Sequence, residues 1–185
     1  MKHITFVTGN QRKLRHLQQV CRPLGIVVEQ LVLPINEIQS ADGLLIAQHK
    51  ADEAFRQAGR PAVVINDAFW TIPALNGFPG GYMKEMQAWF TPADWLRLMS
   101  GLADRRICVT ESIIYRDAQH TKQFSKEYWL RITTGVPRGK GGESIEQVVE
   151  DDKGLTISEY EDQGGQIIPL DDYIWGDLAH WLAHQ

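Results

Sequence analysis

The chain has 185 residues, an ordinary globular composition and a formal net charge of −4. That length fits one ordinary domain, or one domain with a small lobe. No apolar run approaches the ~18 residues of a membrane-spanning helix, and the negative balance argues against non-specific nucleic-acid binding.

The start, MKHITFVTGN, turns polar too soon for a signal peptide, and His3–Val7 reads as a short buried strand. The turn Thr8-Gly9-Asn10 follows. Leu14, Leu17 and Cys21 then recur at helical spacing, with Gly25 as the stop. Residues 26–33 are apolar and β-branched enough for a second strand. Leu44, Ala47, Ala51, Ala54, Phe55 and Ala58 form the stripe of a longer helix, closed by Gly59-Arg60-Pro61. Residues 62–65 form a compact apolar strand that ends at Asn66-Asp67. A Gly/Pro-rich loop, Asn76 to Gly81, needs close turns. Thr91-Pro92-Ala93-Asp94 is a helix start with its cap, first-turn proline and early acid. Residues 106–116 and 124–133 read as a long hairpin, and 135–142 as a basic, glycine-rich loop. Ile174, Leu178, Trp181 and Leu182 share one face of a closing helix. The order β-α-β-α-β, helices, hairpin, helix predicts a single α/β domain over 1–185, a mixed sheet with helices around it.

Cys21 and Cys108 lie far apart and suggest neither a disulfide framework nor a zinc site. A reducing, cytoplasmic setting follows.

Three segments carry chemistry. Thr8-Gly9-Asn10-Gln11-Arg12-Lys13 sits where a strand becomes a helix, and free N–H groups at a helix start attract anions. Gly9 lets a phosphate approach the backbone, and Lys13, one turn in, reaches back toward it. The alternative is a capped turn with a solvated lysine. Asp67 at a strand end could hold Mg²⁺ or activate water, or it could be a turn-forming Asx residue. Leu75-Asn76-Gly77-Phe78-Pro79-Gly80-Gly81-Tyr82, alone, is a tight loop.

In order and spacing, Thr8-Gly9-Asn10 with Lys13, the strand-end Asp67, and Leu75-x-Gly77-x-Pro79-Gly80-x-Tyr82 resemble the inosine triphosphate pyrophosphatase (Ham1-type) family. The resemblance covers roughly residues 3–116 and extends through Pro137-Arg138-Gly139 and Thr156-x-x-Glu159. It implies an ITPase-like fold, an elongated mixed sheet with flanking helices and two lobes around a central cleft. It also implies hydrolysis of non-canonical nucleoside triphosphates to monophosphate and pyrophosphate, with Mg²⁺, in a homodimer. Thr8, Gly9, Asn10, Lys13 and Lys50 would hold the triphosphate, and Asp67 would handle the metal or the attacking water.

The chain departs from the family pattern in four places. Asn66 stands where the family keeps the first of two adjacent acids, and Phe69 and Trp70 follow where it keeps small or aliphatic residues. Leu45 aligns with a metal-binding glutamate, with Glu37 and Asp42 nearby. Arg138-Gly139 leads into Lys140-Gly141-Gly142-Glu143-Ser144-Ile145-Glu146 without the family's aromatic platform, Glu146 standing in for its acid. The family's Ser-His-Arg motif is absent. These departures leave a second reading, a relative that binds a nucleotide or phosphorylated ligand without this hydrolysis. Trp70 and Trp89 are candidates to stack on a base. His180 and His184, at i, i+4, are candidates for a metal pair or polar-face residues. Residues 150–154 read as a solvated turn.

Overall fold

The computed structural model describes residues 2–185, Asp171 by its backbone alone; Met1, at the head of the apolar start, lies outside it. The strands are β1 (Lys2–Val7), β2 (Ile26–Leu31), β3 (Ala62–Thr71), β4 (Pro79–Gly80), β5 (Arg106–Asp117), β6 (Thr121–Ile132) and β7 (Val149–Glu150). The helices are α1 (Gln11–Cys21), α2 (Gly43–Ala58), α3 (Met83–Trp89), α4 (Pro92–Leu98), α5 (Ile157–Asp162) and α6 (Trp175–Ala183). Together the strands make one seven-stranded mixed sheet in the order β2-β1-β3-β5-β6-β7, with β4 on β3. β1 runs parallel to β2 and β3, whereas β4 and β7 pair antiparallel with β3 and β6.

The chain divides into two compact units. The first takes residues 1–68, 111–126 and 170–185. Its sheet is covered on both faces, and the pleat assigns each residue to one of them. Phe6, Val64 and Ile113 face a core with Leu14, Leu17, Trp175 and Leu178, supplied by α1 and α6. Their strand neighbours Val7, Val63, Ile65 and Ile114 face Ala47, Ala51 and Ala54 of α2. Gly25, at φ 69°, ends the turn after α1 in the left-handed conformation that glycine adopts at little cost. The second unit takes residues 69–110 and 127–169. It buries Trp95, Met99, Ile107, Ile132, Ile145 and Val149. Thr91 caps α4 in a reciprocal capping box with Asp94, as the sequence predicts.

Two expectations change. β3 does not stop at Asp67 but runs on to Thr71, because Phe69, Trp70 and Thr71 favour strand, and Trp70 and Thr71 pair with Gly80 and Pro79 of β4. Asp67 is therefore a mid-strand residue. Residues 150–154 are not all solvated either, since Glu150 is buried in β7 and paired with Arg138. The chain from 83 to 89, to which the sequence pattern assigns no element, is a helix.

Candidate active site

β1 ends at Val7, and the chain turns through Thr8-Gly9-Asn10 into α1. The turn is rigid. Thr8 N–H donates to Leu31 O at 3.0 Å, Gln30 Nε2 donates to Thr8 O at 2.9 Å, and Asn10 N–H donates to Thr8 Oγ1 at 3.0 Å. Asn10 is the N-cap of α1, its Oδ1 accepting from the N–H groups of Arg12 and Lys13 at 2.9 and 3.1 Å. The capped turn of the second reading is what the structure shows. The turn is capped, with two of the N–H groups of the helix start spent on Asn10. It also borders a cavity of ≈ 280 Å³ lined by Thr8, Gly9, Asn10, Lys13, Lys50 and Asp67. A side chain at Gly9 would meet nothing within 4 Å, so glycine there keeps space for a ligand and serves no packing need.

Six residues singled out in the sequence therefore share one cavity, and two more join them, Glu37 and Asn66. Lys50 projects from α2. Its Nζ lies 2.9 Å from Glu37 Oε1 and 3.5 Å from Asp67 Oδ2, so one ammonium bridges two carboxylates. Burial pulls the Lys50 pKa down. The charge of Asp67 and the contacts to Glu37 outweigh it, and the net shift is upward, so Lys50 is a cation throughout the neutral range. The other oxygen of Asp67, Oδ1, accepts from Ala68 N–H at 3.0 Å.

Glu37 lies in the irregular segment between β2 and α2, and the match to the family pattern passes it over in favour of Leu45. The structure sets the two apart by position. Leu45 is 48% exposed on α2 and does not line the cavity. Asp42 is spent as the N-cap of α2, accepting from Leu44 and Leu45 N–H. The acid that reaches the site is Glu37. One signal could have found it: an acid three residues past Leu33-Pro34, where a strand gives way to a loop at the same sheet edge as Thr8.

Asn66 is 7% exposed. Its Nδ2 donates to Glu111 Oε2 at 2.7 Å and to Ser112 O at 3.0 Å. Glu111 is an acid inside a hydrophobic strand and carries no sequence motif.

Other candidates stay outside the cavity. Trp70 is buried and Trp89 is 71% exposed, and neither lines it. His184 Nδ1 is 2.7 Å from His180 O, and the two rings stack; among the described residues no group of three or more His, Cys, Asp or Glu side chains could hold a metal. Arg138 is held by Glu150 at 2.8 Å, by Glu159 at 3.2 Å and by Gly154 O at 2.6 Å. Gly139 is pinned too: at φ +83° its absent Cβ would lie 2.3 Å from Ser158 Cβ. The 135–142 loop is therefore a fixed part of the second unit. Glu146 closes a capping box on Glu143 N–H at 2.8 Å.

Two lysines next to a strand-turn-helix suit a polyanion. Two carboxylates in the same cavity do not, unless a cation accompanies the anion. A model of the Ham1 family matches residues 4–168. The chain is 33% identical over 163 residues to inosine triphosphate pyrophosphatase 2 of Trypanosoma cruzi (strain CL Brener), covering 86% of this chain and 82% of that protein. It is 27% identical over 183 residues to a dITP/XTP pyrophosphatase of Pyrobaculum aerophilum, covering 98% and 97%. A HAM1 protein from Coxiella burnetii shares the fold at a TM-score of 0.83 and 21% identity, with both chains covered in full. The chain belongs to the Ham1 family.

Proposed function

We propose that the chain hydrolyses nucleoside triphosphates to monophosphate and pyrophosphate, with deaminated purine nucleotides such as ITP and XTP as substrates. The observation that carries this reading is Lys50 bridging Glu37 and Asp67 beside the Thr8–Lys13 turn, in one cavity. The relatives named as inosine triphosphate and dITP/XTP pyrophosphatases support it.

Magnesium fits the donor set in one form. Mg²⁺ binds through one or two carboxylates together with substrate phosphates, keeping several waters, and needs no protein cage. Glu37 and Asp67 would be those carboxylates. When bound, the ion screens phosphate charge and polarises the α-phosphoryl group. The chain's own residues do the rest. Lys13 and Lys50 neutralise the phosphates, and the rigid Thr8-Gly9-Asn10 turn holds them in register. As Lys50 swings to phosphate, Asp67 is freed to accept a proton. Water oxygen bonds to the α-phosphorus, its proton passes to Asp67, and the bond to the bridging oxygen breaks to release pyrophosphate. A homodimer and a cytoplasmic setting go with this reading, and sedimentation tests the first.

The test is pyrophosphate release from a panel of ITP, XTP, dUTP and ATP with Mg²⁺ or Mn²⁺. Release from the deaminated purines, lost by more than a thousand-fold in Asp67→Asn protein that still binds nucleotide, is the expected result. A nucleotide-induced rise in melting temperature with no pyrophosphate from any triphosphate would replace hydrolysis with binding alone.

A further inference from the structure

The charged residues that line the cavity cancel. They are two lysines, Lys13 and Lys50, and two acids, Glu37 and Asp67. The lysines differ in what they already hold. Lys13 stands in the first turn of α1 and makes no ion pair among the described residues. Lys50 comes from α2, and its single ammonium lies 2.9 Å from Glu37 Oε1 and 3.5 Å from Asp67 Oδ2. The side chains of Lys50, Glu37 and Asp67 keep 21%, 30% and 25% of their surface exposed, so ions in the cavity can reach all three.

Each half of a metal–triphosphate pair meets that ammonium as an obstacle when it comes alone. A divalent cation approaching Glu37 and Asp67 finds a positive charge already within 3.5 Å of both. Repulsion at such a distance is strong where water is partly excluded. A bare triphosphate can use Lys50 only if the ammonium leaves the acids, and the two carboxylates then face phosphate with no counter-charge. Either ligand alone gives up one ion pair to gain another. The two together do not. Lys50, on its flexible stem, turns to phosphate, and the carboxylates it leaves keep a positive partner.

We propose that Lys50 is a specificity-determining residue, which makes the cavity select a triphosphate already complexed with a divalent cation over either component alone. This rests on the reading of the cavity as a metal–triphosphate site. In the free protein Lys50 stands in for the cation, and in the complex it serves the phosphates. Cation and triphosphate are thereby coupled, and the coupling acts equally in both directions. Lys13 has no acid to release, so it adds phosphate affinity without coupling. Free divalent cations therefore leave the cavity to Lys50, and metal-free nucleotide does not block it.

The experiment uses Mn²⁺ and a non-hydrolysable α,β-methylene triphosphate with wild type, Lys50→Met and Lys13→Met. Calorimetry gives the Kd of Mn²⁺ alone, of the analogue alone in EDTA, and of the two together. The complex that ion and analogue form in solution is common to all three proteins and cancels from the comparison. Lys50→Met binds Mn²⁺ alone about ten-fold more tightly than wild type. Its affinity for the analogue falls about ten-fold with Mn²⁺ present and stays within about two-fold without it. Lys13→Met removes the same charge from the same cavity. It weakens the analogue by one factor in both conditions and leaves the Mn²⁺ affinity within about two-fold of wild type. Should Lys50→Met fail to fold, Lys50→Gln takes its place with the same expectations. Unchanged Mn²⁺ affinity in the folded Lys50 variant, an equal gain in Lys13→Met, or a loss of analogue affinity that is the same with and without Mn²⁺ overturns the proposal and leaves hydrolysis standing. The expected couplings without pyrophosphate release from any triphosphate overturn hydrolysis and leave the selection by Lys50 standing. No binding of the analogue to wild type overturns both.

Discussion

Two basic residues in this molecule each face a pair of acids, and they do opposite work. In the second unit, Arg138 meets Glu150, Glu159 and the Gly154 carbonyl, all between 2.6 and 3.2 Å. Its pKa is raised by the bond to Glu150 against the pull of burial, with Glu159 adding to the rise. The planar guanidinium satisfies several acceptors at once, all of them in its own unit. In the first unit, Lys50 meets Glu37 and Asp67 at 2.9 and 3.5 Å, on the wall of a cavity. An ammonium on a flexible stem can change partners. A cluster of one cation and two acids is thus a clamp or a site according to whether its cation is locked and whether space adjoins it.

The comparison breaks first at Arg138. Arg138→Met leaves the buried Glu150 carboxylate without its closest cation, Arg131 remaining at 3.4 Å. A loss of about 2–3 kcal/mol is expected, read as a lower urea midpoint, with nucleotide affinity retained. Unchanged stability with lost nucleotide binding would move Arg138 into the site. The change at Lys50 sharpens the contrast. Lys50→Met weakens triphosphate binding about ten-fold, or about 1.4 kcal/mol. It also lets Mn²⁺ alone bind more tightly than to wild type in calorimetry, because Glu37 and Asp67 lose the ammonium they share. Its pH signature is one-sided. The folded pKa of Lys50 is raised, so its contribution to stability is complete below the unfolded value of ~10.4 and fades as pH rises through the folded one. The melting difference between wild type and Lys50→Met should be flat from pH 6 to about 9 and shrink only in strong alkali. The smallest effect belongs to the clamp's support. Thr156 caps α5 by accepting from Glu159 N–H at 3.2 Å, and Thr156→Ala should cost about 1 kcal/mol, with Thr156→Ser recovering most of it.

Much of the site is legible in the sequence, for local reasons. Asn10 and Lys13 are placed by a strand, a turn and a helix within a dozen residues, where periodicity fixes which side chain starts the helix. Asp67 stands out locally only as an acid that closes an apolar run, and Lys50 needs the ordered motifs of the family, since nothing in its own neighbourhood marks it. Glu37 escapes because it lies in the irregular segment between β2 and α2, with no hydrophobic period to say which side chain turns toward Thr8. Glu111 escapes for the opposite reason. It sits in a strand whose burial is nearly unbroken, where a lone acid reads as noise until β3 is laid beside it. The extent of β3 is misjudged because Asn66-Asp67 looks like a turn, while the pairing that carries the strand on to Thr71 lies outside it.

The closing helix gives the first unit a long loop to tie. Phe6 stacks edge-on against Trp175 at 5.5 Å between ring centroids, joining the first strand to α6 across most of the chain. Contacts of such separation form late, because the loop entropy must be met before they contribute. Until α6 docks, the core of Phe6, Leu14 and Leu17 lacks Trp175 and Leu178, and Glu111 has no Tyr173. Docking of α6 therefore completes this core and also brings the Tyr173 hydroxyl to Glu111. Agents that prey on unfinished chains, chaperones and proteases alike, would find their target in the interval before it.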